Sequence, residues 1–118
     1  DYQIYYYETK NLSFSNNKVY ALCKIVKFNE FKKKNYSIKK VKLFDLSKAS
    51  FILMRQNPPF NMDYITATFL LDKIPKSTKI INDPHFVRNM PEKLFSTDFL
   101  QFMPPTIFTK SVDEIKKF

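Results

Sequence analysis

Four large apolar residues in a row, Phe51-Ile52-Leu53-Met54, run into Arg55-Gln56-Asn57 and then into two prolines. Such a run, stopped abruptly, predicts a short strand buried on both faces. A helix follows. Asn61 is placed to cap it, and Asp63 puts a carboxylate in its first turn, where the helix dipole favours negative charge. Tyr64, Ala67, Thr68, Leu71 and Ile74 recur at helical spacing, and Ile65 and Phe69 widen the stripe into a face expected to be buried. The organising unit is therefore strand, polar loop, helix. In open α/β sheets ligands sit at the carboxyl ends of strands, which directs attention to Arg55, Gln56 and Asn57.

At 118 residues the chain has room for one modest domain, and its 44% hydrophobic content can fill a core. No run of eighteen apolar residues exists, so no membrane-spanning helix is expected. The single cysteine, Cys23, excludes a disulfide framework and points to a reducing compartment; with no helix start or nearby His to activate it, it reads as a small core residue. Glycine is absent altogether. Phosphate-cradling loops need the close backbone approach or positive φ that glycine supplies, so neither a Walker loop nor a dinucleotide fingerprint is present.

The net charge of +9 raises nucleic acid or an acidic membrane as partners. Residues 24 to 48 hold nine lysines against Glu30 and Asp45, a net +7 of that total, and the only arginines are Arg55 and Arg88. Base readout favours arginine, so a lysine-only excess reads first as a solvated face. A small lysine-rich nucleic-acid-binding module is the alternative, with Phe28, Phe31 and Tyr36 interleaved for stacking.

In chain order, Asp1 to Glu8 alternates as a strand. Leu12 to Ser15 and Lys18 to Val26 read as a hairpin about Asn16-Asn17, since Asn tolerates positive φ. Asn29 to Tyr36 is a charged loop; Ile38 to Leu46 is extended and then turns, with Asp45 or Ser47 as cap. Beyond the helix, Lys79-Ile80-Ile81 is a second short strand, completing a βαβ unit. Asp83 caps a short helix opened by Pro84, and another helix starts at Pro91. Thr106 to Thr109 reads as one more strand, and Ser111 caps a final helix from Val112 to Phe118. An opening strand without a preceding element and a closing helix with its pattern still running suggest a piece of a longer chain.

Several of these segments fall into one order and spacing. They are Met54-Arg55-Gln56-Asn57-Pro58-Pro59-Phe60, Asp63-Tyr64-Ile65-Thr66-Ala67-Thr68, Asn82-Asp83-Pro84, Glu92-Lys93-Leu94-Phe95 and Pro104-Pro105-Thr106. Together they resemble the N-terminal domain of prokaryotic glutathione synthetase. The resemblance is specific from about residue 51 to 109 and is one of pattern only before that. It implies an α/β, Rossmann-like pre-ATP-grasp domain in three layers, with a mixed, partly parallel sheet and a protruding hairpin. Residues 1–109 would be that domain without its first strand and helix, and residues 110–118 the start of the segment leading into an ATP-grasp domain. The resemblance also implies an enzyme that uses ATP and Mg2+ to join γ-glutamylcysteine to glycine through an acyl phosphate. That enzyme would be cytoplasmic and a homo-oligomer, with no nucleic-acid or membrane partner. The fragment itself is expected to be inactive, with no cofactor bound and with its metal ligands and catalytic residues elsewhere.

Carried over residue by residue, Arg55 matches the arginine of the family's box and would pair with a substrate carboxylate; pinning the loop through backbone carbonyls is the competing role. Asn57 stands beside it as a substrate-binding residue, although the family more often has Asp there. Lys93 matches the lysine that helps hold nucleotide. Gln56, Asn82 and Asp83 would line the cleft, although capping alone accounts for Asp83. Pro58-Pro59 reads as a rigid turn in which one bond can be cis. His85 lacks a second metal ligand at useful spacing. The hairpin and its lysine-rich continuation are a third possibility, as a contact between subunits, and a bare sheet edge would invite dimer pairing or domain swapping.

Overall fold

The structure is a computed structural model that describes residues 2–28 and 36–118. The charged loop expected at Asn29 to Tyr36 lies, except for Tyr36, outside the described residues, and so do Phe31, Lys32, Lys33 and Lys34 of the lysine-rich stretch.

Among the described residues, six strands and four α-helices form an α/β arrangement built on two sheets, with most strands preceding the helices. The first is antiparallel and centred on β3 (Lys18–Phe28). One edge of β3 pairs with β1 (Ile4–Tyr6) and β2 (Leu12–Ser15), the other with β4 (Tyr36–Asp45). The β2–β3 turn forms as the sequence predicts: Asn16 and Asn17 take φ of 49° and 57°, the pair of left-handed residues that a two-residue hairpin needs to match strand twist. Asp45 ends β4 and caps a single 3-10 turn, its carboxylate accepting from the Ser47 backbone N–H at 3.0 Å and from the Ser47 hydroxyl at 2.6 Å. These two bonds and Lys18, 3.3 Å away, hold the Asp45 carboxyl below its ordinary range.

The second sheet is the βαβ unit. β5 (Phe51–Leu53) and β6 (Lys79–Ile81) pair in parallel, joined by α1 (Met62–Leu71). The Asn61 side chain accepts from the Tyr64 N–H at 3.0 Å, and Phe60 packs on the Tyr64 ring, so cap and ring contact together fix how the chain enters α1. Asp83 caps α2 (Pro84–Asn89), accepting from the His85 N–H at 2.8 Å. The short α3 (Glu92–Phe95) runs into a kinked 3-10 segment ending at Met103, and Ser111 caps α4 (Val112–Lys117).

The core lies between the two sheets. Val19, Ala21 and Cys23 of β3 meet Leu46, Ile52, Met54, Leu71 and Ile74, with Tyr5, Tyr7 and Phe44 packed at its margin. Cys23 is fully buried, and burial pushes its thiol pKa up, in keeping with a filler role. Thr78 ties the sheets by donating to the Ser47 carbonyl at 3.0 Å.

Four expectations change. Parallel and antiparallel pairing occur in two separate sheets instead of within one mixed sheet, because β4 takes its hydrogen bonds from β3 and the chain turns before β5. β5 is not buried on both faces: Ile52 is inside, while Phe51 and Leu53 are exposed, with the Tyr2 ring standing edge-on against Phe51 as partial cover. Phe69 is exposed as well, its ring taken up by an arginine instead of by the core. Thr106 to Thr109 forms no strand; the Thr109 hydroxyl instead bonds Glu114 and accepts from the Ser111 N–H, which extends the cap of α4.

Candidate functional site

Parallel pairing fixes which residues emerge together. Leu53 lies opposite Ile81, and the Met54 N–H continues the ladder by donating to the Ile81 carbonyl. By this register Met54 stands opposite Asn82 and Arg55 follows one residue later, so the Arg55 loop and Asn82 leave the sheet at the same carboxyl end. Two cis peptide bonds lie here, Pro58–Pro59 and the non-proline Ile81–Asn82, and the turn before α1 is closed by the Asn61 N–H bonding the Pro59 carbonyl at 3.1 Å.

A small open cleft of about 50 Å³ lies beside the end of β5. Arg55 and Gln56 line it together with Tyr7, Thr9, Leu12, Leu53, Met54 and Leu71. Arg55 is exposed, and among the described residues its side chain makes no hydrogen bond or ion pair. The loop-pinning role is thus not the one it plays here; its five N–H groups stand available in the fork geometry that matches a carboxylate. Gln56 is half-buried.

The other predicted residues do not line this cleft. Asn57 is exposed on the loop before the prolines, and Asn82 is exposed at the neighbouring strand end. Asp83 also sits there, with one carboxylate oxygen engaged in capping α2. Lys93 is exposed on α3, a separate element. His85 lies against Asn89 and the Phe86 ring on α2.

Two features were missed in the sequence. Tyr7 and Thr9, just past β1, reach the cleft. Burial, reinforced by Cys23, pushes the Tyr7 phenol up to about 12, so it stays protonated at any physiological pH and can donate to an anion. The signal was available: in an alternating strand, Tyr5 and Tyr7 share the inward face. Arg88 is the second. It reaches from α2 to α1, bonding Asp72 at 2.7 Å and the Thr68 hydroxyl at 3.0 Å while stacking 4.1 Å over the Phe69 ring. Asp72 was the clue, since a carboxylate at a helix C-terminus opposes the dipole unless a cation stands by.

Among the described residues no three His, Cys, Asp or Glu side chains gather where they could hold a metal ion. The described residues thus do not form a Mg2+ site. No described helix is long and apolar enough to cross a membrane.

Comparison with known proteins bears on the same residues. The family model for the N-terminal domain of prokaryotic glutathione synthetase matches residues 1–88. The glutathione synthetase of Agrobacterium fabrum is 41% identical over 117 residues, 99% of this chain and 37% of that protein. That of Mesorhizobium japonicum is 39% identical over 117 residues with the same coverage, and that of Buchnera aphidicola 39% over 119 residues, again 99% of this chain and 37% of the relative. The chain therefore spans little more than a third of the length of these relatives.

Proposed function

The chain belongs to the prokaryotic glutathione synthetase family, and from that premise we propose that it is the amino-terminal, substrate-facing part of an ATP-dependent ligase. The complete enzyme joins γ-glutamylcysteine to glycine. Its substrates, its ATP-grasp class with acyl-phosphate activation, its homo-oligomeric state and its cytoplasmic setting belong to this reading. So does the assignment of residues 1–109 to the pre-ATP-grasp domain and of the following residues to the link with the ATP-grasp domain. When bound, ATP and Mg2+ supply the activation of the carboxyl group. The groups that hold Mg2+ lie in the rest of the enzyme, so this portion alone turns nothing over.

The observation that carries the proposal is Arg55. It matches the family's arginine, lies two residues past the end of β5, is exposed, and among the described residues makes no hydrogen bond or ion pair. Its role is to clamp a carboxylate of γ-glutamylcysteine bidentately, with the Tyr7 phenol as a second, neutral donor on the same cleft. Asn57, an amide where the family more often has a carboxylate, leaves that guanidinium uncompensated and free for substrate. Gln56, Asn82 and Asp83 line the approach, and Lys93 supports the nucleotide from α3. No observation favours the nucleic-acid reading over this one.

The test is steady-state kinetics of the complete enzyme carrying Arg55→Ala. A rise in KM for γ-glutamylcysteine with KM for ATP unchanged is expected, and rescue by added guanidinium would strengthen the assignment. Unchanged kinetics would remove Arg55 from the site.

A further inference from the structure

The cleft at the end of β5 lies between the two sheets, with Tyr7 and Thr9 on the antiparallel side and Arg55, Gln56 and Leu71 on the side of the βαβ unit. Its width is therefore set by the angle at which the sheets meet. At the opposite end of the parallel pair, both strands are anchored to one turn. β5 follows that turn along the chain, since the 3-10 turn Leu46–Lys48 leads from β4 into Phe51. β6 is joined to it by a side chain: Thr78, the residue before Lys79, donates its hydroxyl to the Ser47 carbonyl at 3.0 Å. Among the described residues this is the only side-chain hydrogen bond that ties the βαβ unit to the antiparallel sheet and the turn that closes it. Elsewhere the sheets meet through apolar side chains, whose attraction has no direction.

The groups of this tie are fixed from both sides. Thr78 is 4% exposed, and its N–H closes the turn after α1 on the Pro75 carbonyl at 2.9 Å, which sets where its hydroxyl can point. Ser47 is held by Asp45, itself only 9% exposed, which accepts from both the Ser47 N–H and hydroxyl and is anchored to β3 through Lys18. A valine would fill the Thr78 position with nearly the same shape and without burying a hydroxyl, so filling space does not account for the threonine. What the hydroxyl adds is direction. From Thr78 to Asn82 the chain covers roughly 13 Å at about 3.3 Å per residue. Over that length a rotation of about 5° at the tie shifts the cleft end by about 1 Å, a displacement large enough to spoil the placement of a bound substrate. We infer that Thr78 is a positioning residue for the cleft: through Ser47 and Asp45 it sets the angle between the sheets, and so the separation of Arg55 from Tyr7.

The inference rests on the reading of the cleft as the γ-glutamylcysteine site, so kinetics are paired with a readout that does not need it. In the complete enzyme, Thr78→Val and, separately, Asp45→Ala are expected to raise KM for γ-glutamylcysteine at least about fivefold, with KM for ATP within about twofold of wild type and Thr78→Ser restoring the wild-type value. Amide hydrogen exchange followed by mass spectrometry is expected to quicken in Thr78→Val at residues 7–12 and 53–56, the two sides of the cleft, and to stay unchanged in α2. A merely structural hydroxyl would instead lower the unfolding midpoint and leave both KM values and the exchange at the cleft unmoved. That result, or a Thr78→Ser variant as impaired as Thr78→Val, would overturn the positioning role. A wild type that made no glutathione would remove the ligase reading, and exchange alone would then decide: quickening in Thr78→Val but not in Thr78→Ser upholds the tie, and no change in either ends it.

Discussion

The two arginines of the chain sit in regions that treat them in opposite ways. On α2, Arg88 is closed in by an ion pair, a hydroxyl and an aromatic ring, so every feature of the guanidinium is used within the fold. At the end of β5, Arg55 is exposed and unpaired among the described residues, on a loop held by two prolines and a helix cap. The fold spends one arginine on holding two helices together and keeps the other's hydrogen-bonding capacity open. An arginine with no structural employment, at a strand end where parallel sheets bind ligands, is a better marker of a site than one that is merely buried or charged.

That contrast can be broken by paired substitutions in the complete enzyme. Arg88→Ala leaves Asp72 at a helix terminus without its cation and strips Phe69 of its cover. The cost is about 3 kcal/mol of stability, read by denaturant unfolding, while KM for γ-glutamylcysteine stays near wild type. Arg55→Ala does the reverse: kcat/KM for γ-glutamylcysteine falls roughly 30- to 100-fold, as expected for a lost charge-assisted pair, with the unfolding midpoint unchanged. If both variants lost stability equally, the distinction between the two regions would fail.

Tyr7 sharpens the comparison through pH. Its folded pKa of about 12 lies above the ordinary value of 10, so the unfolded chain releases this proton first as pH rises. Stability contributed by the buried phenol is complete below pH 10 and is lost as pH climbs toward 12, by on the order of 2 kcal/mol. Alkaline unfolding followed by tyrosinate absorbance should show this loss, and Tyr7→Phe should abolish it. A smaller effect is expected at Lys93, where alanine raises KM for ATP about tenfold if the lysine holds nucleotide. Smallest is Asn61→Ala, which removes the cap of α1 for about 1 kcal/mol and disturbs the turn that carries Arg55. Its unfolding midpoint and its KM should move together, unlike those of either arginine variant.

Local chemistry made much of this legible. Asn16-Asn17, Asn61, Asp83 and Ser111 are turn and cap residues whose role depends on backbone groups a few positions away, so sequence suffices to place them. The strand at Thr106 misled because its apolar pattern is too short to tell an extended strand from an extended lead into a helix cap.

What the sequence determined by itself was the strand–loop–helix unit, its caps, and hence the end of the sheet at which Arg55 emerges. These follow from periodicity and from side chains bonding nearby backbone. Only the tertiary structure decided that β4 joins β3 and not β5, that Tyr7 reaches the cleft, and that Arg88 rather than the core covers Phe69. Each of those depends on which surfaces meet across long stretches of chain, and pattern alone carries no record of a partner that distant.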